Sequence, residues 1–243
     1  MNQIIDDSSF ESAQSKTAVR QFFGKVYAFM FGALLVSGVI AFQYGTPDFI
    51  AAHFIKESAP GVYGPNMLFY VILFAPVGIA LLMQTMVQRL SFAVLFLLFA
   101  LYSVLLGFAL SMILLQYTTE SIVGVFFATA GSFGVMAIMG FVTSADLTKF
   151  GSILSMAFIG IFIASIVNFW LGSDTLGYVI SMIGVLVFTG LTAYHMQKLK
   201  EYAQNAQASE DEKNKMALLG GFTLYVLFIN LFLSLLNLFG SRD

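Results

Sequence analysis

Few residues in this chain could do chemistry, and most of them lie in its last two hydrophobic runs. His195 stands in "LTAYHMQKLKEY" (Leu191 to Tyr202), where a long apolar run meets a charged segment. It is one of only two histidines in the chain. An unperturbed imidazole titrates near pH 6.5, so it suits a proton-sensitive contact. The competing reading is an interfacial ring that snorkels toward water beside Lys198. In the next run, "MALLGGFTLYVLFINLFLSLLNLFG", Thr223, Asn230, Ser234 and Asn237 are spaced by seven, four and three residues. At about 100° per residue they fall within roughly 40° of one another on one helix face. Asn230 and Asn237 sit poorly against lipid tails, so this face is expected to point into a bundle. Two uses are open to it: hydrogen bonding between helices, and a wettable lining for an ion path.

Catalytic readings fare worse. "AGSFG" (Ala130 to Gly134) offers Ser132 as a nucleophile with His195 as its base, the arrangement of some intramembrane proteases. Depth argues against it. The two residues differ by about eight positions along spans that both run inward, roughly 12 Å of helix rise. A base must come within about 3 Å of its nucleophile. His53 and His195 fall near opposite membrane faces with no acidic ligand nearby, so no metal site is expected. The chain has no cysteine, which removes disulfides, thiolate metal sites and cysteine nucleophiles. We therefore expect neither an enzyme nor a bound cofactor.

The elements that must carry these residues follow from composition. Of 243 residues, 59% are hydrophobic and 10% charged, against about 25% charged in soluble domains. Such a chain needs lipid as its main solvent. A net charge of -2 argues against a nucleic-acid partner. Seven runs reach the roughly twenty residues that cross a bilayer: 22–43, 67–87, 90–115, 121–143, 150–171, 176–197 and 216–239. Backbone groups in lipid must be satisfied within the segment, and these runs are too long for barrel strands, so they are helices. Residues 1–21 read as a polar, mobile cytoplasmic tail before a retained first span, and 22–243 as one membrane domain.

Pro76 should kink the second span. The Pro- and Gly-rich Gly45–Asn66 connection reads as an ordered loop, and Lys198–Lys215 as a charged loop. Small residues at helical spacing (Ala28 and Gly32; Ser103, Gly107 and Ser111; Ala130 and Gly134) are expected to bring helices close. With the N-terminus inside, the inner loops and ends hold Lys16, Arg20, Lys25, Arg89, Lys149, Lys198, Lys200, Lys213 and Lys215. Only Lys56 and Arg242 lie outside. That bias sets the N-terminus in the cytoplasm and the C-terminus outside. No Asp or Glu falls within the hydrocarbon region, which counts against an acidic proton relay. No Lys lies in the seventh span, which counts against a retinal-type receptor.

Several stretches resemble the Bax-inhibitor family of membrane proteins, in its bacterial branch. They are "ISMIGVLVFTGLTAYHMQKLK" and "TLYVLFINLFLSLLNLFG" in the last two spans, "FFATAGSFGVMAIMGFVTSADLTKFGSILSMAFIGIFIASIVNFWL" before them, and the Asp146–Gly151 junction within it. The resemblance covers roughly residues 20 to 240. It implies an all-α fold of seven transmembrane helices, with the C-terminal helix central to two three-helix layers. It also implies a pH-sensitive calcium leak, or, for some bacterial members, modulation of a membrane-anchored ATP-dependent protease.

The family's channel activity is tied to two aspartates. Its Ala-Tyr-Asp is here Ala193, Tyr194, His195, and its Leu-Tyr-Leu-Asp-Phe-Ile-Asn is here Leu224 to Asn230. His195 and Leu227 thus occupy the aspartate positions. Two close carboxylates titrate as a coupled pair, and calcium needs oxygen ligands; neither property survives these replacements. The expectation is a cation leak or transporter of a bacterial cytoplasmic membrane, with His195 as a single proton-sensitive contact. The alternative is a non-conducting modulator of a membrane protease or of stress response. Expected partners are the lipid bilayer, calcium and such a protease.

Overall fold

The structure, a computed structural model, describes residues 2–59, 61–205 and 208–242, the side chains at 2–15, 58–59 and 205 excepted. Eight helices follow one another: α1 (Asn2–Tyr44), α2 (Pro47–Phe54), α3 (Met67–Thr85), α4 (Phe92–Leu114), α5 (Thr119–Val142), α6 (Thr148–Leu171), α7 (Asp174–Asn205) and α8 (Glu210–Phe239). Seven of them are long and apolar enough to cross a membrane. They correspond to the seven runs read from the sequence, so the protein is an all-α integral membrane protein.

Three connections differ from expectation. The stretch expected as a mobile tail is helical from Asn2 and continuous with the first span; Met1 lies outside the described residues. No Pro or Gly interrupts "NQIIDDSSFESAQSKTAVRQFF", so the backbone can propagate as helix. The Gly45–Asn66 connection is a short helix and a hairpin. Thr46 caps α2, its side chain accepting from the Phe49 N–H at 3.3 Å, with Pro47 in the first turn. The strands β1 (Ile55–Ala59) and β2 (Val62–Pro65) pair antiparallel. Asn66 then caps α3 by accepting from the Phe69 N–H at 3.1 Å.

The stretch expected as a charged loop, Lys198 to Lys215, is mostly helix. α7 continues to Asn205 and α8 begins at Glu210; residues 206–207 lie outside the described residues. Ion pairs one turn apart support both extensions: Lys198–Glu201 at 2.9 Å and Lys215–Asp211 at 2.8 Å. Ser209 and Glu212 form a reciprocal cap, each side chain accepting from the other's backbone N–H at 3.3 and 2.9 Å.

The chain divides into two compact units. One comprises Met1–Ala28 and Val123–Phe239, the other Phe29–Ile122 and Gly240–Asp243. The second unit is built around Phe54, Ile72 and Ala109, with Phe49, Phe69 and Phe108 packed on them. α1 and α4 meet closely there. A Cβ on Gly107 would come within 2.8 Å of the Ile40 side chain and 3.0 Å of the Ser37 carbonyl. Ser103 and Ser111 are buried on either side. The other small-residue pairs behave differently. Gly32 and Gly134 have open space where a side chain would be, so those pairs do not draw helices together.

In the first unit, α8 packs along α7, and α5 lies against α8 through Phe126 and Phe133, whose rings stand edge-on to Phe228 at 5.6 and 5.5 Å. α8 is the most enclosed of the seven spans: 67% of its most apolar window is buried, against 6% for α6. An all-round apolar helix fits either a core or a lipid-facing place, and the packing decides for the core. α6 ends at Gly172, whose φ of 60° is the left-handed turn that terminates a helix without steric cost.

Candidate functional site

The site is the seam between α7 and α8. Three close approaches set its register. The Asn237 amide donates to the Ser181 hydroxyl at 2.8 Å and to the Gly177 carbonyl at 3.2 Å. Ser234 lies over Gly184, where an added Cβ would be 2.7 Å from its hydroxyl. At the other end, Leu199 lies over Gly220, where an added Cβ would be 2.7 Å from its side chain. Each step forward along α7 matches a step back along α8, so the helices are antiparallel. Continued between these points, the register sets His195 level with Thr223 and Leu191 level with Leu227. Leu227 is thus four residues from the level of His195, about 6 Å of rise.

His195 follows Gly184 by eleven residues, which returns it to within about 20° of the same α7 face. Its ring is half-buried, with the Tyr194 ring edge-on at 5.1 Å. Leu227 is buried, 5% exposed.

The polar stripe of α8 comes out divided. Ser234 is buried, whereas Thr223, Asn230 and Asn237 are half-buried. So are Val226 and Leu233 between them, while the positions flanking these five from Phe222 to Ser234 are buried. The stripe expected to point into the bundle is therefore the least covered face of the most enclosed helix. Hydrogen bonding explains why this is tolerable. Asn230 donates to the Val226 carbonyl of its own helix at 2.8 Å, and Asn237 donates to α7. Neither amide needs a fully dry interface to be satisfied.

The segment that carries His195 is pinned from every side by groups the sequence reading passed over. Ala193 meets Gly140 so closely that a Cβ there would overlap the Ala193 backbone. The Tyr194 ring lies across Gly151 of α6 in the same way. Met196 is 1% exposed and receives the Tyr27 hydroxyl at 3.9 Å from its sulfur. Gln197 accepts from the Leu147 N–H at 2.9 Å and donates to the Ala145 carbonyl at 2.7 Å. Lys200 donates to the Phe141 carbonyl at 2.7 Å, its ammonium 5.2 Å from the centre of that ring. A cation there also meets the negative end of the α5 dipole. The polar clamps join residues 50 to 59 positions apart, which no local pattern reveals.

Outside the spans, Asp146 starts α6 by accepting from the Thr148 N–H at 2.8 Å. The Thr148 hydroxyl and backbone hydrogen bonds hold its carboxyl below the usual carboxylate range. Ser132 is exposed on α5, eight residues before Gly140, the residue that meets Ala193. That is about 12 Å of rise, so the structure keeps Ser132 and His195 at the different depths read from the sequence. His53 belongs to α2, its ring stacked on Phe49 at 4.2 Å. Among the described residues no three His, Asp or Glu side chains converge on a point that could hold a metal ion.

The profile of the family described as "Inhibitor of apoptosis-promoting Bax1" matches residues 19–243. Inner membrane protein YbhL of Escherichia coli is 39% identical over 231 residues, covering 94% of this chain and 95% of its own. Uncharacterized proteins of Borreliella burgdorferi and Rickettsia prowazekii are each 38% identical. They cover 91% and 92% of this chain, and 92% and 91% of their own. Seven apolar helices and an inner-membrane relative make this a multi-pass protein of a bacterial inner membrane. By the near full-length family match and the relatives' identity over nine tenths of its length, the chain belongs to the Bax-inhibitor family.

Proposed function

We propose that the protein provides a leak or transport path for cations, calcium among them, along the α7–α8 seam. The observation that carries this reading is the half-buried row of Thr223, Asn230 and Asn237 on an otherwise enclosed α8. The row offers a side-chain oxygen every two turns, about 10 Å of rise, as successive polar stations for a cation. His195, level with Thr223 on the facing helix, brings an imidazole to that end of the row and acts as its proton-sensitive contact. The family's paired carboxylates are absent, Leu227 standing in for one of them, so the dependence on pH is that of a single imidazole. The N-terminus is cytoplasmic and the C-terminus external, as nine of the eleven Lys and Arg residues favour.

The test is calcium flux into liposomes containing the purified protein alone, across pH, for wild type and His195→Ala. The proposal expects flux in both, with the pH profile flattened in the variant. Coincident profiles would remove His195 from the gate.

A second reading has its own support. The Asn237 amide donates to the Ser181 hydroxyl and the Gly177 carbonyl of α7, which is how interhelical glue behaves. On that reading the protein is a non-conducting modulator of a membrane-anchored protease or of stress response. Wild-type protein that passes no calcium when reconstituted alone, and whose effect in cells is lost on deleting residues 1–20, would favour it.

A further inference from the structure

α1, α5 and α7 enclose a groove of about 500 Å³ within the first unit, inside the range of small-molecule sites, about 300–1,000 Å³. Its polarity changes along its length. Lys16 and Arg20, one turn apart on α1, and Lys200 of α7 stand at one end. The remainder runs deeper along the same helices and is apolar, with Phe23, Ala137 and Met196 buried in its wall. None of its described lining residues is acidic. Lys200 gives one of its three protons to the Phe141 carbonyl at 2.7 Å and keeps the others for a ligand.

We propose that this groove binds an acidic phospholipid, its phosphate among Lys16, Arg20 and Lys200 and its first acyl methylenes over Phe23, Ala137 and Met196. The match is in both halves. Three cations with no carboxylate among the described lining residues call for an anion, and basic pockets between transmembrane helices take lipid head groups on this principle. A small soluble anion would leave the apolar wall bare, and a neutral lipid would leave the cations without a counter-charge. An acyl chain covers the first and a phosphate the second. The consequence is structural. The lipid would tie the start of the first span to the end of α5 and to the His195 segment of α7, through Phe141, Met196 and Lys200.

The experiment uses the full chain in detergent micelles, with lipid added stepwise and bound adducts counted by native mass spectrometry. Phosphatidylglycerol is expected to form a one-to-one adduct at concentrations where phosphatidylcholine does not. Neutralising two cations in Lys16→Gln with Arg20→Gln should weaken it about thirty-fold. Lys56→Gln, in the β1 strand, should leave it unchanged. Because the double variant could fail to fold, Val19→Trp is the second route: it fills the groove with the charges intact and should also lose the adduct. Equal binding of phosphatidylcholine would overturn the proposal, as would a phosphatidylglycerol adduct that survives both variants. Glycerol 3-phosphate binding as tightly as phosphatidylglycerol would make this a soluble-anion site and would overturn it too.

Discussion

Gln197 clasps the backbone around Leu147: it accepts from the Leu147 N–H at 2.9 Å and, through its other amide atom, donates to the Ala145 carbonyl at 2.7 Å. The pair satisfies two groups of the α5–α6 junction from a side chain that is itself buried, 6% exposed. His195 is two residues away on the same helix, so this clasp helps to fix its position.

Gln197→Leu keeps the volume and removes both hydrogen bonds. It leaves a donor and an acceptor short of partners, at a cost of about 1–3 kcal/mol. Thermal unfolding in detergent should show a clearly lowered Tm. A loss no larger than that of the surface variant Lys56→Gln would mean that the clasp contributes nothing.

Gly140 and Gly160 should respond oppositely to alanine. At Gly140 the new methyl would meet the Ala193 backbone, which cannot rotate away, whereas Gly160 has nothing within 4 Å. Gly140→Ala should cost about 1–3 kcal/mol. Gly160→Ala should be neutral or gain up to about 1 kcal/mol from helix propensity. Comparing the two unfolding temperatures tests the close approach of α5 to α7; equal effects would contradict it.

Asn237 and Ser181 should be energetically coupled. Hydrogen bonds between helices in membranes are worth on average about 0.6 kcal/mol and at most about 1.7. A double-mutant cycle of Asn237→Ala and Ser181→Ala should return a coupling in that range. Strict additivity would show that the 2.8 Å contact carries no stability.

Acidification should loosen the start of α6. The Asp146 carboxyl is held below its usual range by hydrogen bonds from Thr148. A lowered value in the folded state means that its contribution is full above about pH 4 and is lost as pH falls through the folded value. Hydrogen exchange at the Thr148 amide, corrected for intrinsic rate, should therefore speed up on acidification in the wild type. In Asp146→Asn it should not, because the amide oxygen accepts at every pH. Identical trends would assign the loosening to another group.

Much of the architecture was legible in the amino-acid sequence. Seven apolar runs become seven helices, because a backbone in lipid must satisfy its polar groups within each segment. The face shared by Thr223, Asn230, Ser234 and Asn237 followed from helix pitch alone. Where the reading missed, local chemistry still explains the outcome. Lys198–Glu201 and Lys215–Asp211 extend α7 and α8 past the hydrocarbon, since helix propensity and one-turn ion pairs do not stop where hydrophobicity does. Only the tertiary structure decided that the polar face of α8 is its least covered one, that His195 stands level with Thr223 and not Leu227, that Gln197 clasps the α5–α6 junction, and that Lys200 grips the end of α5. Those facts depend on the register between helices and on contacts joining residues 50 to 59 positions apart. Periodicity within one helix reports which residues share a face; what that face meets is set by packing among helices.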